Sequence, residues 1–290
     1  NENNYQIWGF LKKCHDNGWV YKGEDVMPWC PRCGTAISQH EIVTDGYFEV
    51  TQNSVFVRFP LVGRDNEALL VWTTTPWTLS SNVAAAVGPD LDYVQVKAED
   101  GWTYYLAEGA MKNTLLGKNN EVLGRFKGED LVGWEYVGPF DDLPQVTNAF
   151  AEAGYTHRVV PWREVGAEEG TGIVHIAPGC GAEDFMLSKE HNLPIVAPLD
   201  ENGVYVAGFG WLSGREVAGV AEDIFAQLRE TGFFYRKQRY SHRYPHCWRC
   251  GSELVYRLVD EWFISMGPVY DKPRSELTAA EKSASLRYQI

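Results

Sequence analysis

Hydrophobic residues three and four positions apart predict helices in several parts of this chain. The clearest stripe is formed by Val220, Ile224 and Leu228, and Gly232 follows it as a stop signal. The other stretches show the same spacing over fewer turns. The predicted helices are residues 5–19, 108–116, 182–191 and 217–230.

Short hydrophobic runs dominate the rest of the chain and predict strands. One of them ends at Pro60, and a turn at residues 88–90 separates two others. The predicted strands are residues 55–59, 68–72, 82–87, 93–96, 102–107, 159–160, 172–176 and 194–197. Many short strands with few helices favour an α+β fold, namely a β-barrel-like mixed domain with flanking helices, over a regular parallel sheet.

Two Cys-x-x-Cys pairs lie near opposite ends of the chain, and a glycine follows each pair directly. Four thiolates in this pattern are typical of a closed, tetrahedral zinc site with a structural role. We therefore expect one structural zinc ion and a small zinc ribbon formed by the two chain ends, residues 26–43 and 240–260. The expected ligands are Cys30, Cys33, Cys247 and Cys250. The alternatives are a redox or disulfide motif, or a ribbon that has lost its metal.

Composition limits the compartment and the partners. The chain has 290 residues, of which 44% are hydrophobic and 22% charged, enough for one large or two modest cores. It contains no run of about 20 apolar residues, so no membrane partner is expected. The absence of an apolar signal segment, together with the unpaired Cys14 and Cys180, favours a reducing, cytoplasmic location.

Charge disfavours one class of partner. A net charge of −13 is unfavourable for a protein that wraps nucleic acid, although the end of a nucleic acid can still enter a pocket. One local basic run departs from this balance. It is either a solvated surface beside the expected ribbon or an RNA contact, and its members are Arg236, Lys237, Arg239, His242, Arg243 and Arg249.

Residues 72–79 combine four threonines with two tryptophans around a proline. Consecutive threonines place hydroxyl groups on both faces of an extended chain. Pro76 ends regular strand pairing because it has no N–H group. Such a strand end leaves hydroxyl and main-chain groups free to bond a ligand. The alternative is that the threonines only follow strand propensity.

Residues 170–185 run from a predicted strand through a glycine-rich loop into the predicted helix 182–191. Glycines let the backbone approach a ligand closely. Glu183 and Asp184 lie in the first turn, where the helix dipole favours carboxylates, and for Glu183 we prefer this simple interpretation. The segment has neither the Walker sequence nor the G-x-G-x-x-G spacing, so by itself it predicts only a ligand-binding loop.

Three features in this order resemble the inserted editing domain of the class I isoleucyl-, valyl- and leucyl-tRNA synthetases. They are the run Trp-Thr-Thr-Thr-Pro-Trp-Thr-Leu, the loop Gly-Thr-Gly-Ile-Val-His-Ile-Ala-Pro-Gly ending in Asp-Phe, and the bracketing cysteine pairs. His175, followed by residues 177–179, is similar to the isoleucine-specific members. The resemblance implies an excised piece of a larger protein, with a helical lead-in (1–25), an editing domain (44–239) and a return to the synthetase body (261–290).

The resemblance also implies a reaction. Family members attach an amino acid to tRNA in a separate domain, and its two ATP-site signatures are absent here, so no aminoacyl-adenylate formation is expected. What remains is hydrolysis of valine wrongly esterified to tRNA(Ile). A single pocket rejects the smaller amino acid only weakly, for which isoleucyl-tRNA synthetase is itself the standard example. The expected partners are the aminoacylated 3′ end of tRNA(Ile), its valine moiety and the rest of the synthetase.

By resemblance, Asp184 binds the α-ammonium group of the substrate through charge-assisted hydrogen bonds. His175 forms a steric wall for the side chain, with a satisfied core histidine as the alternative. Thr75 belongs to the same catalytic group. The terminal adenosine and aminoacyl group are held by Trp72, Thr73, Thr74, Trp77, Thr78 and Asn82. No Ser-His-Asp or Cys-His pairing is evident, so we expect direct attack by water without a covalent enzyme intermediate.

Two positions depart from the family pattern. Cys180 stands where many relatives have a second histidine, and Ser80 where many have proline. For Cys180 we expect a small buried thiol. The alternatives for the whole chain are an editing domain of the valyl or leucyl type, a module that binds the tRNA end without hydrolysis, and an unrelated zinc-ribbon protein that binds RNA.

Overall fold

The computed structural model describes residues 1–117 and 119–289, apart from the side chains of Thr44 and Asp45. The chain divides into two compact units. One consists of Asn1–Asp25 with Val259–Ile290, and the other is Val26–Leu258. All candidate site residues belong to the second unit.

The helices are short, and local signals explain where several of them begin and end. They are α1 (Glu2–Asp16), α2 (Gln39–Asp45), α3 (Met111–Thr114), α4 (Gly128–Leu131), α5 (Pro144–Ala153), α6 (Ala182–His191), α7 (Ala221–Glu230), α8 (Ala279–Ala284) and α9 (Leu286–Gln289). The Asn1 side chain accepts the backbone N–H of Asn4 and caps α1. Gly154 ends α5 with a φ of 58°. None of the helices in the described residues is long and apolar enough to cross a membrane.

The strands form three sheets. They are β1 (Val20–Cys30), β2 (Thr35–Ala36), β3 (Tyr47–Pro60), β4 (Glu67–Thr73), β5 (Ala84–Val87), β6 (Asp92–Lys97), β7 (Thr103–Ala107), β8 (Glu121–Lys127), β9 (Arg158–Pro161), β10 (Ile173–Ile176), β11 (Phe234–Pro245) and β12 (Val255–Ile264). Their orders are β12-β1-β2, β10-β5-β9 and β11-β3-β4-β7-β6-β8.

The α+β class is confirmed, but the expected barrel-like closure is wrong. Within the described residues, the largest sheet has β11 and β8 as its two edges, and these edges do not pair with each other. Closure needs a continuous ladder around the barrel. The three sheets therefore remain open.

Two strands carry the segments that the sequence singled out. β4 pairs with β3 in antiparallel fashion and ends at Thr73. The 3-10 helix Pro76–Ser81 follows it. β10 pairs with β5, so that His175 lies opposite Ala85, and β10 also lies against β4. The end of β4 and the loop after β10 are thereby brought to one place.

The core of the larger unit lies between these sheets and α7. Val57 and Val71 from the large sheet are fully buried, as are Ile224 and Phe225 of α7. Full burial of a side chain of this size stabilises the fold by about 1.5–3 kcal/mol relative to exposure. The cluster fixes the strands that position the cavity described below.

Several predicted elements are confirmed with shifted ends. The helix over 182–191 is found with those bounds, whereas the helix predicted over 5–19 spans Glu2–Asp16. The region 217–230 begins with the 3-10 turn Val217–Gly219 before α7. The region 108–116 also splits, into the 3-10 turn Glu108–Ala110 and α3.

One predicted strand is wrong, and several elements were not predicted. In the described structure, residues 194–197 form an extended loop instead of a strand, and only Val196 and Pro194 turn into the protein interior. β1, β8, β11, β12 and α5 lacked a clear signal. β11 alternates charged and aromatic residues, and α5 buries only Val146, so neither shows a hydrophobic pattern of the expected kind.

Candidate functional site

A cavity of about 420 Å³ lies at the junction of the threonine segment and the glycine-rich loop. Thr78 and His175 meet there although they are 97 positions apart in the chain. The predicted site residues that line the cavity are Trp72, Thr73, Thr74, Thr75, Trp77, Thr78, His175 and Asp184. The structure therefore brings together all the predicted site residues of this unit except Asn82 and the cysteines.

Asp184 lies in the first turn of α6 and lines the cavity. Its Oδ2 atom accepts the backbone N–H of Ala177 at 2.7 Å. Burial raises the pKa of this carboxyl to about 6, and the nearby charge of Glu183 acts in the same direction. Near neutral pH the group is thus an anion in a partly dry position, which favours a cationic partner.

Two glycines in the loop before α6 make this position of the carboxylate possible. A Cβ atom at Gly181 would lie 3.0 Å from Cγ of Asp184, and one at Gly179 would lie 2.2 Å from the carbonyl oxygen of Val196. The second contact is impossible without moving the backbone. The loop can therefore fold back over α6 only because these positions carry no side chain.

His175 is buried at the end of β10, and its Nε2 atom lies 2.8 Å from Oγ1 of Thr78. Thr78 donates its single hydroxyl proton to the carbonyl oxygen of Thr75, at 2.8 Å. We therefore assign the histidine proton to Nε2, which donates to Thr78. Burial lowers the pKa of His175 to about 4, so the ring is neutral at pH 7.

The threonines differ in how much they offer to a ligand. Thr73 and Thr78 are buried, and Oγ1 of Thr73 accepts the backbone N–H of Thr75 at 3.0 Å. Thr74 and Thr75 are half-buried, and their hydroxyl oxygens lie 3.5 Å apart. Thr73 and Thr78 hold the shape of the segment, and Thr74 and Thr75 present hydroxyl groups to the cavity.

Asn82 lies outside the cavity lining. It is buried, its Nδ2 donates to the carbonyl oxygen of Ala84 at 2.9 Å, and its Oδ1 accepts the hydroxyl of Tyr136 at 2.8 Å. These bonds tie the start of β5 to a neighbouring segment. In this structure the side chain supports the wall of the site from behind.

Further lining residues were missed in the sequence. Glu164 and Glu169 are exposed side chains on the cavity wall, and Tyr244 and Tyr256 complete another side. None of the four belongs to a motif, and none had a signal in the sequence. With Asp184, the two glutamates give a lining with three carboxylates, and this lining includes no lysine or arginine. Such a field attracts cations.

The four predicted metal ligands lie together, away from the cavity. The Sγ atoms of Cys30, Cys33, Cys247 and Cys250 are all within 4.8 Å of one another. The separation is 3.5 Å for Cys30 and Cys250 and 4.0 Å for Cys33 and Cys247. A tetrahedral zinc ion with Zn–S bonds of about 2.3 Å places its sulfur ligands roughly 3.8 Å apart, so the donor set fits this metal.

Both cysteine pairs have the local geometry of a metal knuckle. The backbone N–H of Cys33 donates to Sγ of Cys30 at 3.4 Å. Gly34 and Gly251 adopt φ values of 62° and 71°. This left-handed conformation is easy only for glycine, and it turns each chain back immediately after its second cysteine.

Comparisons with known proteins agree on one family. The sequence model of a family described as tRNA synthetases class I (I, L, M and V) matches residues 1–285. The isoleucine–tRNA ligase of Pyrococcus horikoshii is 39% identical over 279 residues, which cover 94% of this chain and 26% of that protein. Isoleucine–tRNA ligase 2 of Bacillus cereus is 40% identical over 272 residues, covering 93% and 25%. The chain thus spans about a quarter of the length of these relatives.

Among solved structures, the cytosolic leucyl-tRNA synthetase editing domain of P. knowlesi aligns with a TM-score of 0.48 and 12% sequence identity. The alignment covers 64% of this chain and 97% of that one. A score at this level is too low to establish a shared fold.

Proposed function

Since this chain belongs to the class I tRNA synthetases (I, L, M and V), we propose that it is the editing domain of an isoleucyl-type enzyme. Its reaction is the hydrolysis of valine from misacylated tRNA(Ile), in the cytoplasm where the charged tRNA is used. The observation that carries the proposal is one cavity lined by Asp184, His175 and the threonine segment.

In this proposal the carboxylate of Asp184 binds the amino group of the substrate. An aminoacyl ester carries a positive α-ammonium group, and Asp184 is an anion near neutral pH because its pKa lies at about 6. The remaining carboxylates of the lining strengthen the attraction. Charge-assisted hydrogen bonds to Asp184 therefore fix the amino end and with it the position of the ester carbonyl.

The position of His175 is consistent with selection of the substrate by the size of its side chain. His175 is neutral at pH 7, buried, and held by Thr78 through a hydrogen bond of 2.8 Å. A ring that is held in this way cannot withdraw easily when a larger side chain enters. We propose that His175 forms the wall that leaves room for valine but not for isoleucine. An editing site needs this selection, because it has to hydrolyse only the ester of the smaller amino acid.

The cleavage follows a direct route. The oxygen of a water molecule adds to the ester carbonyl carbon, the bond to the ribose oxygen breaks, and that oxygen takes up a proton, so that valine and tRNA are released. The hydroxyl groups of Thr74 and Thr75 are the donors available to the developing oxyanion. Cys180 has a raised pKa because it is buried, so a thiolate nucleophile is unfavourable.

Zinc has a structural role in this proposal. Cys30, Cys33, Cys247 and Cys250 would hold one ion with four sulfur ligands, which leaves no position for a reacting water molecule. The ion would supply rigidity where the two ends of the larger unit meet.

Substrate choice tests the proposal directly. We expect the chain to deacylate Val-tRNA(Ile) at least tenfold faster than Ile-tRNA(Ile), measured by release of radiolabelled amino acid.

We expect His175→Ala to gain hydrolysis of Ile-tRNA(Ile), because the missing ring leaves room for the extra methylene. Preferential release of threonine from Thr-tRNA(Val) would instead favour a valyl-type domain. Binding of Val-tRNA(Ile) without hydrolysis would leave only a module that holds the tRNA end.

The pH profile tests the charge on Asp184. Since the carboxylate has to be ionised to bind the ammonium group, kcat/KM should rise with pH and level off above about pH 6, the pKa of Asp184. His175 has a pKa of about 4 and should add no second inflection between pH 5 and 7. The measurement is initial deacylation rate against pH, after subtraction of uncatalysed ester hydrolysis. A flat profile between pH 5 and 7 would contradict the assigned role.

A further inference from the structure

A buried histidine outside the cavity lining is connected to Asp184 through the backbone. His157 lies directly before β9 and is only 4% exposed. Its Nδ1 atom lies 3.0 Å from the carbonyl oxygen of Val83, and its Nε2 atom lies 2.6 Å from Oδ1 of Asp141. Because a carbonyl oxygen can only accept, Nδ1 carries a proton and donates it to Val83.

The contact with Asp141 fixes the orientation of this ring. A separation of 2.6 Å between a ring nitrogen and a carboxylate oxygen is that of a short hydrogen bond, so a proton lies between the two atoms. The other oxygen of Asp141 accepts the backbone N–H of Gly138 at 2.8 Å. The rings of Tyr136 and Phe150 pack on His157, with centroids 4.7 and 4.6 Å away. The imidazole is thus held at both nitrogens and by two neighbouring rings.

The bond to Val83 continues toward the cavity. The N–H group of Val83 donates to the carbonyl oxygen of Ile176 at 2.8 Å. In the peptide that follows this carbonyl, the N–H group of Ala177 donates to Oδ2 of Asp184 at 2.7 Å. Val83, Ile176 and Ala177 are at most 1% exposed, so water does not compete for these bonds. We call the resulting line of hydrogen bonds the relay; its members are Asp141, His157, Val83, Ile176, Ala177 and Asp184.

A second set of contacts ends at the same peptide. Tyr136, which stacks on His157, donates its hydroxyl to Oδ1 of Asn82 at 2.8 Å. The Nδ2 atom of Asn82 in turn approaches the carbonyl oxygen of Ile176 at 3.4 Å. Movement of the imidazole would therefore disturb this peptide along two routes.

We propose that His157 is a positioning residue for the hydrolysis, because it holds the peptide whose N–H group fixes Oδ2 of Asp184. The inference rests on the proposed function, in which Asp184 binds the ammonium group of the substrate. A carboxylate that shifts carries the ammonium group and the ester carbonyl with it. Its charge remains and still binds the substrate, but the carbonyl is no longer aligned for attack by water. Loss of the relay should therefore lower kcat more than it raises KM.

Two amide substitutions at position 157 separate the two ends of the ring. Asparagine places its amide nitrogen near the present position of Nδ1, so His157→Asn keeps the bond to Val83. Glutamine places it near Nε2, so His157→Gln keeps the bond to Asp141 and leaves the buried carbonyl group of Val83 without a donor. With Val-tRNA(Ile), His157→Gln should lower kcat by about tenfold and change KM by less than about twofold, whereas His157→Asn should retain kcat within about twofold.

Amide exchange adds a measurement that does not depend on activity. The N–H group of Ala177 should exchange about tenfold faster in His157→Gln than in His157→Asn, followed by NMR of the folded chains. Asp141→Ala tests the outer end of the relay, where the side chain is 37% exposed and water can take its place. Since the ring is then fixed at one nitrogen only, kcat should fall by about threefold with little change in KM.

The outcomes distinguish positioning from simple support of the fold. Equal kcat and equal exchange of Ala177 in the two folded position-157 variants would show that His157 only stabilises the protein, and would overturn the inference. Unchanged kcat in Asp141→Ala would overturn it as well, even if neither substitution of His157 folds. Both results leave the proposed hydrolysis standing. If the unaltered chain did not hydrolyse Val-tRNA(Ile), the proposed function would fail and this inference with it.

Discussion

Asp184→Asn should lower kcat/KM for Val-tRNA(Ile) by about 100-fold or more. Asparagine keeps the shape of the side chain and an oxygen that can accept from Ala177, as Oδ2 does now at 2.7 Å. It removes the negative charge to which we assign binding of the ammonium group. Loss of one partner from a desolvated charge pair costs about 2–5 kcal/mol, which corresponds to this range of rates. Single-turnover deacylation measures the effect.

The same substitution should stabilise the folded chain at neutral pH. The folded-state pKa of Asp184 is about 6, above its ordinary value of 3.8, so ionisation destabilises the fold. This destabilisation is absent below about pH 4, grows up to about pH 6 and is constant above it. At pH 7.5 Asp184→Asn should therefore raise the free energy of unfolding by about 2–3 kcal/mol. Denaturant unfolding at pH 7.5 and pH 4 measures both limits.

Glu183→Gln is the matched control. Glu183 neighbours Asp184 in α6, but it is exposed and does not line the cavity. It should retain most of the activity. Unchanged hydrolysis in Asp184→Asn would refute the assigned role of the carboxylate. If Asp184→Asn were less stable than the unaltered chain at pH 7.5, the folded state would favour the ionised form of Asp184.

The second large effect concerns the metal. The purified chain should contain one zinc ion, and Cys30→Ser should contain less than a tenth of that, measured by elemental analysis. Cys30 is fully buried among the other three sulfur atoms. Structural zinc contributes about 10–16 kcal/mol to the folding of small zinc-finger peptides. Its loss should unfold the ribbon, so that amide exchange accelerates in residues 26–43 and 240–260.

Most of the larger unit should survive that change. Its main hydrophobic cluster contains none of the four cysteines, so the cavity keeps its own support. Cys14→Ser is the control, because Cys14 is buried but lies outside the metal cluster. It should retain zinc and normal exchange in the ribbon. If the ribbon of a metal-free chain were as well protected from amide exchange as that of the zinc-bound chain, the ribbon would fold without an ion.

The sequence was informative where local chemistry decides the structure. α6 was predicted with its observed bounds because a glycine-rich loop precedes it and two carboxylates occupy its first turn; in the structure Asn192, with a φ of 52°, ends it. The four cysteines were grouped correctly because two Cys-x-x-Cys pairs, each followed by glycine, are a local pattern typical of one shared site. The threonine segment, His175 and Asp184 were found through motifs and a resemblance, and the fold brings them to one cavity.

The remainder depends on contacts between distant segments. Tyr244 reaches the cavity because β11 pairs with β3 over nearly its whole length, and this pairing has no local signal. In the sequence, Glu164 and Glu169 look like ordinary surface residues. They line the cavity only because the loop that carries them folds against its wall. The barrel expectation failed for the same reason, since strand count alone does not decide whether the edges of a sheet meet.

The convergence of Cys30 and Cys250, whose sulfur atoms are 3.5 Å apart, has a consequence for evolution. The polypeptide departs from one point and returns to it after more than two hundred positions. A host protein that accepts such a segment needs to separate its own flanking backbone by only a few ångströms. A segment whose two ends meet in this way can thus be inserted into a host protein without reshaping it.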